Sequence, residues 1–327
     1  MSQIVTNPER AAQPDADALP AQPETEMTET TYHIPWHAGL FDKVFMAFVY
    51  LFIVVFALLC LIPFWLVISA SFTPEASLRL EGFQLIPPEL TLSAYRFVLE
   101  GEQVFRSYSI TIIVTVVGTV LGMGITTPFA YVLASKKAKY ANFLAFMTYF
   151  TMIFGGGLIG IYILVTRWLG LKDNLWAMIL PYLMNPFYAF ILVAYFRSLP
   201  QEILDAATID GANDIVIFFR IAVPLAKPAI ASVALFYALR YWNDWWLPLL
   251  FIDDPNMHSL QMMIRKVFSE VNAANYIGSE NMIIQEALPT YGVRMVTAIL
   301  TTGPIILLYP FIQRYFVKGI TLGAVKG

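Results

Sequence analysis

The side chains best suited to handling a polar molecule sit inside an apolar run. Arg240, Asn243 and Asp244 lie within Ala229 to Ile252, and Tyr237, Tyr241, Trp242, Trp245 and Trp246 surround them. An aromatic face beside a hydrogen-bonding fork is an arrangement that holds a sugar-like solute. A charge inside hydrocarbon is costly unless it is paired or hydrated, so something must compensate. Arg240 and Asp244 are one helical turn apart and could form a structural ion pair; alternatively both line a wet cavity together with the aromatics. Spacing leaves the two arrangements open. Asn185, between Pro181 and Pro186, marks a second place where freed carbonyls could open a polar notch, with ordinary kinking as the alternative. Arg294 begins the last apolar run, where it either attracts an acidic solute or snorkels.

Other chemistries lack their residues. The single cysteine, Cys60, excludes an internal disulfide framework, and His33, His37 and His258 are too scattered to hold a metal, so no metal site or catalytic residue is expected. Gly155, Gly157 and Gly160 fit G-x-G-x-x-G formally, but that motif needs a strand before it and an acid after it, and here it falls within an apolar run. There is no P-loop. A membrane enzyme is not supported either, since the sequence has no His/Cys cluster, no paired carboxylates within the spans and no nucleophile elbow. A net charge of -3 without a Lys/Arg-rich tract argues against nucleic acid as a partner.

The elements that position these groups are membrane helices. Of 327 residues, 58% are hydrophobic and 13% charged, well outside the balance of a soluble domain. Residues 1–40 differ, being rich in proline and acid, and read as a disordered cytoplasmic tail; residues 41–327 read as one transmembrane domain. Runs long enough to cross the bilayer are Val44 to Ile68, Ile110 to Ala134, Phe143 to Val165, Leu175 to Tyr195, Ala229 to Ile252 and Val293 to Phe316. The fold class is therefore all-α, with six transmembrane helices and both termini on one side. Lys136, Lys137, Lys139, Arg197, Arg220, Lys227, Arg314 and Lys318 choose the cytoplasm for that side, against a smaller bias outside. Gly118, Gly122 and Gly124, and Gly156 with Gly160, are expected at close helix contacts.

Between the fourth and fifth runs, residues 200–228 are too polar to span. Pro200, Glu202 and Asp205 suit a helix start, Gly211 can take the left-handed turn that stops it, and Asn213 can cap a second helix. Ile215, Phe218, Phe219 and Ile221 give that helix an apolar stripe, with Pro224 and Pro228 to end it. The result is a helical hairpin that serves either as a docking knob or as an interfacial helix on lipid.

This segment closely resembles the EAA loop of bacterial ABC importer permeases. Asp205-Ala206-Ala207, three residues, Gly211, nine residues, Ile221, one residue and Val223-Pro224 follow its spacing, with Asp in place of the leading Glu and Val in place of Leu. Glu202, Asp210-Gly211-Ala212 and Pro228 follow the carbohydrate-importer version. Tyr241-Trp242-Asn243-Asp244 and the ending from Gln313 resemble the smaller permease subunit of maltose-type importers, and Phe154-Gly155-Gly156-Gly157-Leu158 with the tail from Tyr315 to Gly327 resembles a branch associated with complex or acidic oligosaccharides. The resemblance covers Phe41 to Gly327. It implies the type I importer permease fold, a carbohydrate solute and a bacterial cytoplasmic membrane. It further implies a second homologous permease forming a heterodimer, two cytoplasmic ATPase subunits that bind ATP and Mg, no cofactor in this chain, and an external solute-binding protein. Glu202, Asp205, Ala206, Ala207, Asp210, Gly211, Ala212, Ile221 and Pro224 would then couple to the ATPase. Asn185, Tyr237, Arg240, Tyr241, Trp242, Asn243 and Asp244 would line the solute pathway. The rival class is a secondary transporter or channel for a small polar solute; it predicts internal repeats with matching broken helices, which the sequence does not display.

Overall fold

The computed structural model describes residues 39–277, 291–304 and 306. The acidic tail and the chain end from Gln313 lie outside the described residues, as does the later part of the sixth expected span. The chain divides into the units Met1–Leu58 and Leu59–Gly327.

The first unit contributes the beginning of α1, Leu40–Ser71, a helix in which most residues from Leu40 to Leu59 are exposed large hydrophobics. Its apolar side chains point in every direction, as in a helix solvated by hydrocarbon and not by water. Pro63 sits inside the helix without ending it.

In the second unit, α2 (Glu75–Leu80) and α3 (Ser93–Glu100) are short helices leading to α4, Glu102–Ala134. Then come α5 (Ala141–Ile153), α6 (Gly157–Ile163) running into a π turn at Leu164–Trp168, α7 (Trp176–Ile179) and α8 (Pro186–Ser198). The hairpin follows as α9 (Gln201–Ile209) and α10 (Asp214–Ile217), the latter continuing through a π turn into α11 (Val223–Leu225). The described fold closes with α12 (Lys227–Trp242), α13 (Trp246–Phe251), α14 (Leu260–Ile277) and a helix over residues 291–304.

Among the described residues two helices, Leu40–Ser71 and Glu102–Ala134, are long and apolar enough to cross a membrane unbroken. The third expected span is instead two segments bent by 111° between Ala141–Ile153 and Gly157–Trp168. Phe154 is followed by three glycines, and Gly157 takes φ +73°, a left-handed conformation that lets the chain turn where a regular helix would have continued. The fourth span bends by 46° between Trp176–Tyr182 and Pro186–Ser198. Pro186 cannot donate a backbone hydrogen bond, and Asn185 restarts the helix by accepting from the N–H groups of Phe187 and Tyr188 at 3.0 and 3.3 Å. The expected Ala229 to Ile252 span begins earlier, at Lys227, and breaks after Trp242.

Helix α4 is the centre of the packing, with α8 and α12 against it. Its inward face carries Val114, Gly118, Gly122, Thr126, Ala130 and Leu133. A Cβ on Gly118 would lie 2.5 Å from the Tyr241 ring, and one on Gly122 would lie 3.1 Å from the Tyr237 ring and 3.3 Å from the Leu183 carbonyl oxygen. These two glycines are slots for the two tyrosines. Gly124, Gly156 and Gly160 have nothing within 4 Å of an added Cβ, so the close contacts expected there do not form.

A strap on the far side from the hairpin joins three parts of this unit. Asp173, itself at φ +54°, accepts from the backbone N–H groups of Asp253 and Asp254 at 2.5 and 3.0 Å. Lys172 pairs with Asp253 at 2.6 Å. Gln103 and Arg106 of α4 hold the carbonyl of Pro255 and the side chain of Asn256 at 2.6 and 2.9 Å. The two backbone N–H groups hold the Asp173 carboxyl below the usual carboxylate range, helped by the Lys172 charge. A depressed folded pKa adds stability that is complete above the ordinary carboxylate value and disappears as pH falls through the depressed one. Asp173→Ala is therefore expected to lower the melting temperature of the purified subunit by a few degrees at neutral pH, and the gap from wild type should close in acid. A gap of constant size across that range would show that the carboxylate charge contributes nothing.

Candidate functional site

The hairpin is built from local signals that agree. Pro200 precedes α9, and Glu202 occupies its first turn, where a carboxylate complements the helix dipole. The helix ends in a Schellman arrangement: Gly211 takes φ +82° and its N–H donates to the Thr208 carbonyl at 3.1 Å, while the Ala212 N–H donates to the Ala207 carbonyl at 3.0 Å. In this motif the residues at the places of Ala207 and Ala212 come into contact, which small side chains allow with a tight turn. Asn213 then caps α10 by accepting from the Val216 N–H at 2.9 Å.

The second arm is anchored and the tip is bare. Ile217, Phe218 and Ala222 are buried, and the Phe218 ring lies 5.1 Å from Tyr131 of α4, which in turn meets Phe196 of α8 edge-on at 5.6 Å. The stripe expected from Ile215, Phe218, Phe219 and Ile221 is thus rotated: Ile217 and Ala222 join Phe218 inside, Ile221 is half-buried, and Ile215 and Phe219 face outward. Pro224 does not end the arm, because the π turn at Phe218–Ala222 absorbs its missing donor and the helix runs to Leu225. The chain then bends by 81° into Lys227–Trp242. Glu202, Asp205, Ala206, Asp210, Gly211 and Pro224 are exposed, Ala207 and Ala212 half-buried, and none of α9 is buried. Asp205 and Asp214 share a cleft of about 290 Å³ with Lys136 and Lys137. The knob therefore has a rigid root and an acidic tip flanked by Ile209 and Ile215, which are 85% and 68% exposed.

The candidate pathway residues separate into two groups. Tyr237 and Tyr241 are 0% and 1% exposed, and their hydroxyls serve the fold. Tyr237 is hydrogen-bonded to Thr126 at 2.7 Å and accepts from the Asn185 N–H at 3.0 Å, and Tyr241 donates to the Ile179 carbonyl at 2.9 Å. Both rings close the joint between α4, α12 and the broken fourth span. Asn185 is likewise occupied as a helix cap. Trp242 is half-buried, its indole N–H donating to the Thr301 carbonyl at 3.2 Å.

Arg240 and Asp244 do not pair directly. The Arg240 guanidinium lies 4.1 Å from the centre of the Tyr182 ring, while the Tyr182 hydroxyl donates to Asp244 at 3.2 Å. The same Asp244 oxygen accepts from the Trp246 N–H at 3.2 Å and so restarts the helix as α13. The second Asp244 oxygen is buried without a partner. Asp244 thus points inward and Arg240 outward, with Tyr182 between them. Sequence reasoning missed Tyr182 because it lies 58 positions from Arg240 and no periodicity links the two. It missed α14 too, whose Gln261 donates to Asn243 at 3.3 Å and whose Arg265 guanidinium sits 3.9 Å from the Trp245 ring centre.

A helical membrane bundle with a polar helical knob and a charged, aromatic face defines a transport permease. Residues 126–322 match the model of the family described as binding-protein-dependent transport system inner membrane component. The chain belongs to that family; it is a membrane-embedded transport subunit and not itself an enzyme. It is 40% identical over 269 residues to Protein LplC of Bacillus subtilis, covering 82% of this chain and 90% of that one. It is 37% identical to the polygalacturonan/rhamnogalacturonan transport system permease protein YtcP of the same organism, covering 88% and 99%. Among solved structures, a bacterial ABC transporter involved in the import of the acidic polysaccharide alginate has a chain that matches with a TM-score of 0.73 and 28% identity, covering 85% of this chain and 99% of that one.

Proposed function

We propose that the chain is one permease half of an ATP-driven importer that carries an oligosaccharide across the bacterial cytoplasmic membrane. It crosses six times, with the 1–40 tail, the chain end and the hairpin on the cytoplasmic side. A second, homologous permease completes the pathway, two cytoplasmic ATPase subunits bind ATP and Mg, and an extracytoplasmic binding protein delivers the solute. Glu202, Asp205, Ala206, Ala207, Asp210, Gly211, Ala212, Ile221 and Pro224 form the coupling knob.

The observation that carries this reading is the hairpin, anchored by Phe218 to Tyr131 and bare at its tip. A force applied at the tip passes through that root into α4 and α8. An interfacial helix resting on lipid would need a continuous apolar face, whereas the tip sets Asp210 and Asp214 between its two isoleucines. Carriage of a carbohydrate is supported by the relatives named for polygalacturonan/rhamnogalacturonan and alginate transport.

Pull-down of the tagged chain from solubilised membranes is expected to bring an ATPase and a second permease with it, and the complex in proteoliposomes to take up labelled oligosaccharide only when ATP is supplied. Solute flux through the chain alone, driven by an ion gradient, would instead establish a secondary transporter.

A further inference from the structure

Two arginines on the outward half of the fold are held in the same unusual way. Arg240 lies over the Tyr182 ring and Arg265 over the Trp245 ring, with guanidinium-to-ring-centre distances of 4.1 and 3.9 Å. Both are exposed, and neither forms an ion pair among the described residues. Arg240 lies 13 residues beyond the start of α12 at Lys227, roughly 20 Å along the helix axis and so past the middle of a ~30 Å hydrocarbon layer.

The two are joined by a polar track. Arg240 and Asn243 are three residues apart at the end of α12, Asn243 accepts from Gln261 at 3.3 Å, and Gln261 and Arg265 are one turn apart on α14. Trp245 and Trp246, in edge contact at 5.5 Å and 37% and 41% exposed, border the same surface. The acid nearest in sequence to Arg240, Asp244, is only 9% exposed and is turned inward, under the Tyr182 hydroxyl and the Trp246 N–H, so it does not neutralise the patch.

A guanidinium stacked on a ring keeps its in-plane N–H groups pointing sideways, which is the geometry that grips a carboxylate with two parallel hydrogen bonds. Ring stacking also fixes the side chain beforehand, so little rotamer freedom remains to be lost on binding. A neutral sugar seated here would displace water from both cations without supplying a counter-ion, which disfavours it. We propose that Arg240 and Arg265 select an oligosaccharide carrying carboxylates, a uronate-containing chain, by forking onto its carboxyl oxygens while the rings of Tyr182 and Trp245 hold the two guanidinium groups in place.

This rests on the carbohydrate reading above, and the test separates the two. The complete transporter in proteoliposomes is given labelled trigalacturonate and, in parallel, its fully methyl-esterified form, which differs only in charge and ester groups. Wild type is expected to take up the acid about tenfold faster than the ester, the loss expected when a charge-assisted fork goes unmade. Arg240→Gln and Arg265→Gln should each collapse that ratio towards one, and Arg240→Lys, which keeps charge but not the fork, should give an intermediate ratio. Equal uptake of acid and ester by wild type, or an unchanged ratio in both glutamine variants, overturns the selection. Should a glutamine variant fail to assemble, the wild-type ratio and the lysine variant still decide. Uptake of neither form or of any neutral oligosaccharide by wild type would overturn the carbohydrate reading itself.

Discussion

Gly118→Ala is expected to cost the subunit roughly 1–3 kcal/mol of stability. The new Cβ would lie 2.5 Å from two atoms of the Tyr241 ring and 2.7 Å from a third, closer than carbon atoms approach. The ring cannot withdraw freely, because it is 1% exposed and its hydroxyl is bonded to the Ile179 carbonyl. Relief requires either separating α4 from α12, an overpacking cost of roughly 1–3 kcal/mol, or stranding the buried carbonyl, a further cost of about 1–3 kcal/mol. The variant should melt many degrees below wild type in detergent, and less of it should reach the membrane. Tyr241→Phe alone should be mild, since it removes only the hydrogen bond. Gly118→Ala combined with Tyr241→Leu should recover part of the loss, because the colliding ring atoms are gone. A Gly118→Ala subunit that melts with wild type would mean that α4 and α12 are not in contact through this slot.

Gly211→Val tests the opposite end of the molecule, and it should leave global stability nearly untouched while cutting coupled turnover about tenfold. Nothing lies within 4 Å of a Cβ at Gly211, so the substitution meets no neighbour; its whole effect is conformational. A β-branched residue at φ +82° is strained by roughly 1–3 kcal/mol, and the backbone relieves this by leaving the left-handed region. That movement breaks the Ala212-to-Ala207 hydrogen bond and re-aims α10 relative to α9. Insertion and melting should stay close to wild type, since α9 buries no side chain. Solute-dependent ATP hydrolysis and uptake should fall about tenfold, the equivalent of some 1.4 kcal/mol, with Gly211→Ala falling less. Normal coupled turnover in the valine variant would remove the hairpin tip from the transmission path.

The hairpin was legible in the sequence because its determinants are local. Proline before α9, glycine at the left-handed turn and asparagine at the next cap act over three to five residues, and each occupies the position that its chemistry implies. Residue spacing also gave the helical class and the apolar runs, since crossing hydrocarbon demands length and composition whatever the neighbours are.

Tertiary structure alone decided where the runs break and which polar groups face outward. Three glycines after Phe154 permit a turn, but a glycine tract is equally compatible with close helix packing, and only the surrounding chain selects the 111° bend. The buried face of the second arm is set by what packs against it, Tyr131 of α4 against Phe218, which leaves Ile217 inside and Ile215 outside. Tyr237 and Tyr241 looked like pathway aromatics because helical periodicity records position around one axis and not what stands opposite. Gly118 and Gly122, on another helix, supply the slots that bury them. For the same reason the Arg240 and Asp244 spacing suggested an ion pair, whereas Tyr182, brought in by the bend of the fourth span, offers its ring face to one and donates a hydrogen bond to the other.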